Sequence, residues 1–190
     1  MRKPDKQPLI VYVFFGLIGG GKSTLAAAWA RRLGIDWFNS DMLRKEMAGP
    51  DAGGRGLPFG QGLYAKAFTG KTYQALLDRA AGELSRGRSV VLDGSYRCRA
   101  DRLAVRDLAE NYGARALFIL CSCPEVELKK RLRQREADPK AVSDGNWQIY
   151  QKQKEIFEEP AELRPEELAT LVTLAPVDVL VARLAEELPT

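Results

Sequence analysis

The stretch FGLIGGGKST, residues 15–24, constrains this chain more than any other. It lies between an apolar run, LIVYVFF, and an alanine-rich one, LAAAWARRL, so a glycine loop joins a buried strand to a helix. Gly16 and Gly21 frame the pattern G-x-x-x-x-G-K-S, with Gly19 and Gly20 between them. Glycines let the backbone wrap closely around an oxyanion with its N–H groups inward, and a helix opening at Lys22 adds the positive end of its dipole. The loop predicts an anion cradle. Lys22 reaches β- and γ-phosphates as a point charge, the Ser23 hydroxyl ligates Mg²⁺, and Thr24 belongs to the same binding turn. The expected ligand is a nucleoside triphosphate with Mg²⁺.

The rest of the chain alternates apolar strands with amphipathic helices. Residues 9–15 read as a strand buried on both faces, followed by a helix from Lys22 to Leu33. DWFNS (36–40) predicts a short strand running into a helix from Asp41 to about Ala48, with Ser40 placed to cap it. Residues 49–62, rich in glycine and proline, predict a mobile loop on the acceptor side. A long helical pattern at 62–86, closed by Gly87, precedes a strand at 89–95 that carries Asp93. Further helices are expected near 99–112, 124–136, 145–158 and 177–188, strands at 114–121 and 170–174, and a small lid near 136–146. The fold class is therefore α/β: a P-loop NTPase fold, one domain over 1–190, with a parallel sheet of about five strands flanked by helices. Ligands of such sheets bind beyond the carboxyl ends of the strands.

Composition narrows the chemistry. The chain has no histidine, so imidazole acid/base catalysis is excluded. Cys121 and Cys123 lie two apart on one strand face and Cys98 stands alone; without zinc-type spacing they read as reduced thiols packed as small hydrophobes. The basic start MRKPDKQP lacks a cleavage site after it, and no run approaches the roughly twenty apolar residues that span a bilayer, so the expectation is a cytoplasmic protein without a membrane partner. A net charge of +4 suits anionic partners.

Other nucleotide-binding classes leave signatures that are missing: neither N-K-x-D nor L-S-G-G-Q occurs. Small kinases need a base for the acceptor hydroxyl, a counter-charge for the acceptor and arginines near the phosphates. Asp41, at the carboxyl end of the second strand, is the candidate base, and Arg44 falls on the same side of the following helix turn. Asp93 ends its strand where an acid can enter the magnesium shell. Arg102, on the next helix, is expected to face the acceptor pocket. In LKKRLRQRE (128–136), Arg131 and Arg135 share a helix face, Arg131 to stack on the adenine and Arg135 to contact phosphates, while Lys130 and Arg133 point elsewhere. The alternative for this run is a solvated or RNA-binding face.

GLIGGGKST, SDMLRKEMAG, VVLDGSYRCRADR, LKKRLRQRE and SDGNWQIYQKQ together resemble the P-loop kinases of the AAA_33 type, a group related to polynucleotide kinase and the zeta toxins. The likeness covers roughly residues 9–160. It implies that Asp41 and Arg44 act as base and substrate arginine, and that Arg102 binds the acceptor region. The sequence departs from the group in having Gly94-Ser95 where Ala-Thr is common after the strand acid. The resulting expectation is transfer of the γ-phosphoryl group of ATP to a hydroxyl of a small molecule or a nucleic-acid end. A nucleotide-sugar kinase like the zeta toxins and a nucleotide-binding switch are the alternatives.

Overall fold

A computed structural model describes residues 8–49, 66–137 and 146–189. The expected loop at 49–62 and lid near 136–146 lie almost wholly outside the described residues. β-Branched and aromatic side chains build strand β1 (Ile10–Phe15), in which every residue is buried. Helix α1 (Lys22–Leu33), strand β2 (Asp36–Asn39), helix α2 (Ser40–Ala48) and helix α3 (Lys66–Ser85) follow. After strand β3 (Val90–Asp93) come α4 (Arg99–Asn111), β4 (Arg115–Ser122), α5 (Glu125–Glu136) and α6 (Trp147–Glu155). A short 3₁₀ turn at Pro165–Glu167 leads into β5 (Leu168–Val172), and α7 (Val177–Glu187) ends the order.

The strands form one five-stranded sheet in the order β2-β3-β1-β4-β5, and every pairing is parallel. Alternation along β1 explains its unbroken hydrophobicity. Val11, Val13 and Phe15 pack with Leu76, Leu84 and Val105 of α3 and α4. Ile10, Tyr12 and Phe14 face the opposite layer, with Leu25 and Trp29 of α1 and Leu180 and Leu184 of α7. The register then fixes where chemistry can happen. Asp93 of β3 pairs with Phe14 of β1 and with Asn39 of β2, so three strands end level with one another at the edge where the glycine loop departs. No described helix is long and apolar enough to cross a membrane.

Two sequence expectations shift by a residue or two. Asn39, not Ser40, caps α2: its extended backbone lets Oδ1 accept the N–H groups of Asp41 and Met42, both at 2.9 Å, while Ser40 is already helical. Strand β5 starts at Leu168, paired with Phe118 directly out of the 3₁₀ turn, and stops before Thr173. The Thr173 hydroxyl lies 3.0 Å from the carbonyl of Gly20, which ties the strand end to the glycine loop.

The expectation for Arg102 is overturned. It sits on the α4 stripe with Val105 and Ala109, fully buried, its guanidinium 5.9 Å from the Phe15 ring centroid. Its Nε and Nη2 donate to the Glu162 carboxylate and its Nη1 to the Tyr96 carbonyl at 2.8 Å. Burial would raise the Glu162 carboxyl, but the bond and charge of Arg102 outweigh it and hold that carboxyl below its ordinary value. Both partners are nearly inaccessible, so removing one strands the other. Arg102→Met is expected to lower unfolding free energy by about 3–5 kcal/mol in urea titrations, with Arg102→Met/Glu162→Gln recovering part of the loss. A variant as stable as the parent would deny the pair its structural role.

Candidate active site

The glycine loop closes tightly because four of its positions, Gly16, Gly19, Gly20 and Gly21, carry no side chain. A Cβ on Gly16, whose φ is 127°, would lie 2.6 Å from the Cys121 carbonyl oxygen. Gly21 opens α1 at φ 80°, the left-handed region that turns the loop into the helix. Lys22 folds back across the loop, its Nζ donating to the Leu17 carbonyl at 2.9 Å. Burial pulls the Lys22 pKa below the ordinary lysine value, and the nearby carboxylate of Asp93 draws it partly back. The loop is also held from outside: the Ile18 N–H donates to Gln153 Oε1 of α6 at 3.0 Å.

Across from the loop, the ends of β2 and β3 present Asn39 and Asp93. Asp93 is buried, and burial raises its pKa against the opposing pull of Lys22. Asn39 Nδ2 donates to Asp93 Oδ2 and lies 3.2 Å from Ser23 Oγ. Asp93 Oδ1 is buried with no hydrogen-bond partner. An orphaned carboxylate oxygen in a cluster with a hydroxyl is a hard oxygen pair that suits Mg²⁺, an ion that takes few protein ligands and completes its shell with phosphate and water. Ser23 and Asp93 therefore fit the metal.

Asp41, in the first turn of α2, enters the same cavity, and Arg44 Nη1 donates to its Oδ1 at 2.7 Å. Arg44 is itself buried. Of the other sequence candidates, Gly19, Gly21, Thr24 and Arg135 line the cavity with Lys22 and Ser23. Gly16 and Gly20 form the loop's back, against Cys121. Arg131 stands at the loop's flank: its Nη1 and Nη2 hold the hydroxyl and carbonyl of Thr173 at 3.1 and 2.5 Å, and its Nη1 would lie 3.6 Å from a Cβ on Gly21. Arg131 and Arg135 thus both border the glycine loop, in different places. Arg102 is in the core instead.

Several lining residues escaped sequence reasoning, among them Asn39, Thr69, Ser95, Arg97 and Gln153. Asn39 has a legible signal, an amide at a strand end next to a helix start. Arg97 has none, because it depends on the backbone of its neighbour Tyr96. All three cysteines are free; Cys121 is buried beneath the loop, and burial raises its thiol to about 12.

Residues 11–160 match the model of the AAA_33 family, described as an AAA domain. Uncharacterized proteins of Mycobacterium tuberculosis (strain ATCC 25618 / H37Rv) and Mycobacterium bovis (strain ATCC BAA-935 / AF2122/97) are each 33% identical over 116 residues, 58% of this chain. The chain spans about a quarter of their length, 23%. Among solved structures, a gluconokinase of Sinorhizobium meliloti 1021 is 22% identical with a TM-score of 0.65, the match covering 95% of both chains. A sugar kinase of Janibacter sp. HTCC2649 is 21% identical with a TM-score of 0.68, covering 94% of this chain and 93% of that one. The APS kinase CysC of Mycobacterium tuberculosis, in complex with AMPPNP and APS, is 19% identical with a TM-score of 0.66, covering 95% of this chain and 97% of that one. These likenesses share the P-loop fold.

Proposed function

This chain belongs to the AAA_33 family, and from that premise we propose that it is an ATP-dependent kinase, a P-loop kinase domain that transfers the γ-phosphoryl group to a hydroxyl of a small molecule. The observation that carries the reading is the meeting of Asp41 and Arg44 with Lys22, Ser23 and Asp93 in one cavity. A switch that only senses nucleotide has no use for a carboxylate and arginine facing its phosphate loop. Fold neighbours named gluconokinase, sugar kinase and APS kinase favour a small acceptor over a nucleic-acid end.

In this reading the glycine-loop N–H groups and Lys22 cradle the β- and γ-phosphates, Arg131 flanks the base side, and Arg135 faces the transferring group. Mg²⁺ held by Ser23 and Asp93 would neutralise charge on the phosphate oxygens. Arg44 engages Asp41 Oδ1, which leaves Oδ2 to accept the proton of the acceptor hydroxyl. The acceptor oxygen forms its bond to the γ-phosphorus as the bond to the β-bridging oxygen breaks, and ADP leaves with that electron pair. Positioning and charge supply most of the acceleration in such transfers.

The test is ATP consumption against panels of sugars, sugar acids, nucleosides, aminoglycosides and oligonucleotide 5′ ends, with product mass as the readout. An acceptor heavier by one phosphoryl group is expected. ATP turnover that no acceptor changes, with no phosphorylated product, would instead indicate a nucleotide switch or hydrolase.

A further inference from the structure

Helix α6 carries most of the motif SDGNWQIYQKQ, to which phosphoryl transfer as described above gives no task. Two of its residues nevertheless reach the cavity. Ile149 and Gln153, four apart on one face, both line it, while Tyr150 packs into a cluster with Leu128 and Leu132 of α5. The helix is anchored independently of the cavity. Glu125 Oε1 of α5 accepts from Tyr150 Oη at 3.1 Å and from Lys154 Nζ at 2.5 Å, and Asn146 Oδ1 caps the first turn through the Ile149 N–H at 2.9 Å. Leu17 and Ile18 of the glycine loop pack against the same apolar cluster. Across that contact Gln153 Oε1 accepts the Ile18 N–H at 3.0 Å.

A phosphate cradle must turn some of its N–H groups inward and satisfy the others elsewhere. The Gly16 N–H donates to the Ser95 carbonyl and the Gly20 N–H to the Leu17 carbonyl, both at 3.3 Å, so backbone satisfies these two. Ile18 is different. Among the described residues, its N–H is the one in the loop that a side chain holds. The four glycines give the loop more backbone states than a cradle uses, and tying down the Ile18 peptide between Gly16 and Gly19 removes some of them. The residue type suits the place: a neutral amide accepts an N–H without setting a negative charge beside bound phosphates, as a glutamate would. We propose that Gln153 is a positioning residue of the cradle, fixing the Ile18 peptide so that the loop stands ready for nucleotide phosphates and α6 becomes part of the nucleotide site. This rests on the reading of the loop as the phosphate site, and not on the acceptor.

Gln153→Leu removes the acceptor oxygen and keeps a good helix former at a half-buried position. The dissociation constant for ADP with Mg²⁺, measured by calorimetry on the full chain, should rise by about 3–10-fold, the net worth of one hydrogen bond. The melting temperature without nucleotide should not move. Tyr150→Phe is the control, because it cuts a bond between α6 and Glu125 and leaves the bond to the loop in place; it should leave ADP affinity unchanged. An unchanged affinity in Gln153→Leu, or an equal loss in Tyr150→Phe, would overturn the proposal, the second because loosening α6 anywhere would then suffice.

A second readout reports the bond itself. In the nucleotide-free protein the Ile18 amide should exchange with solvent faster in Gln153→Leu than in the parent, and stay slow in Gln153→Glu, whose carboxylate keeps an acceptor at the same reach. Exchange that both variants speed, or that neither does, would overturn the proposal. A parent that binds no ADP would overturn it together with the phosphate-loop reading. A parent that binds ADP, shows these responses and phosphorylates no acceptor would uphold Gln153 as a positioning residue and discard the kinase reading alone.

Discussion

Lys22→Ala is expected to lower acceptor-dependent phosphoryl transfer by about 10²–10³-fold, the range for removing one preorganised charge donor from a transition state. Nζ now donates to the Leu17 carbonyl, a bond that costs little to exchange for phosphate oxygens in the same cradle. Folding should respond differently from catalysis. Burial holds the Lys22 pKa below its unfolded value, so the unfolded chain binds more protons at this site and stability rises with pH across the window from the depressed pKa to the ordinary lysine value. Lys22→Ala should flatten that rise without destabilising the nucleotide-free protein near neutral pH. The loss should appear in the thermal shift that ATP and Mg²⁺ produce, because ligand stabilisation scales with occupancy. Calorimetry with and without ATP, beside a turnover assay, separates the two effects. Wild-type turnover would remove Lys22 from the phosphate site.

The difference between Lys22 and Arg97 shows what the sequence discloses and what it withholds. Lys22 is legible because its role is local: glycines, strand and helix sit within a few residues, and the backbone itself forms the cradle. The sheet was legible for the same reason, each strand being an apolar run with its own turn signals, and the level ends of β1, β2 and β3 follow once the strands are parallel. Arg102 shows the limit. An arginine on a helix reads as a solvent or ligand group, yet its spacing to Val105 and Ala109 puts it on the buried stripe, a periodicity signal that outranked its charge. What made that burial tolerable is Glu162, 60 residues away in sequence, which no local pattern discloses. Arg97 is harder still, since its placement depends on a left-handed Tyr96 that residues of α3 and α4 enforce.

Asp41→Asn separates binding from chemistry. The amide keeps the side chain's size and removes the lone-pair charge that takes a proton from the acceptor hydroxyl. Acceptor phosphorylation is expected to fall by about 10²–10⁴-fold, the range for losing a positioned base. ATP affinity should change little, because Asp41 belongs to α2, outside the glycine loop and the first turn of α1 that carry Gly19, Gly21 and Thr24. The variant also takes the carboxylate from Arg44, whose side chain is only 7% exposed, so some stability should be lost and rates should be measured where the variant remains fully folded. Arg44→Met supplies the control: it spares the Asp41 carboxylate, so it should weaken acceptor binding through KM and leave a larger fraction of kcat than Asp41→Asn does. If Asp41→Asn retains acceptor phosphorylation while Arg44→Met loses it, the carboxylate serves only to hold the arginine, and the base must be sought elsewhere in the cavity.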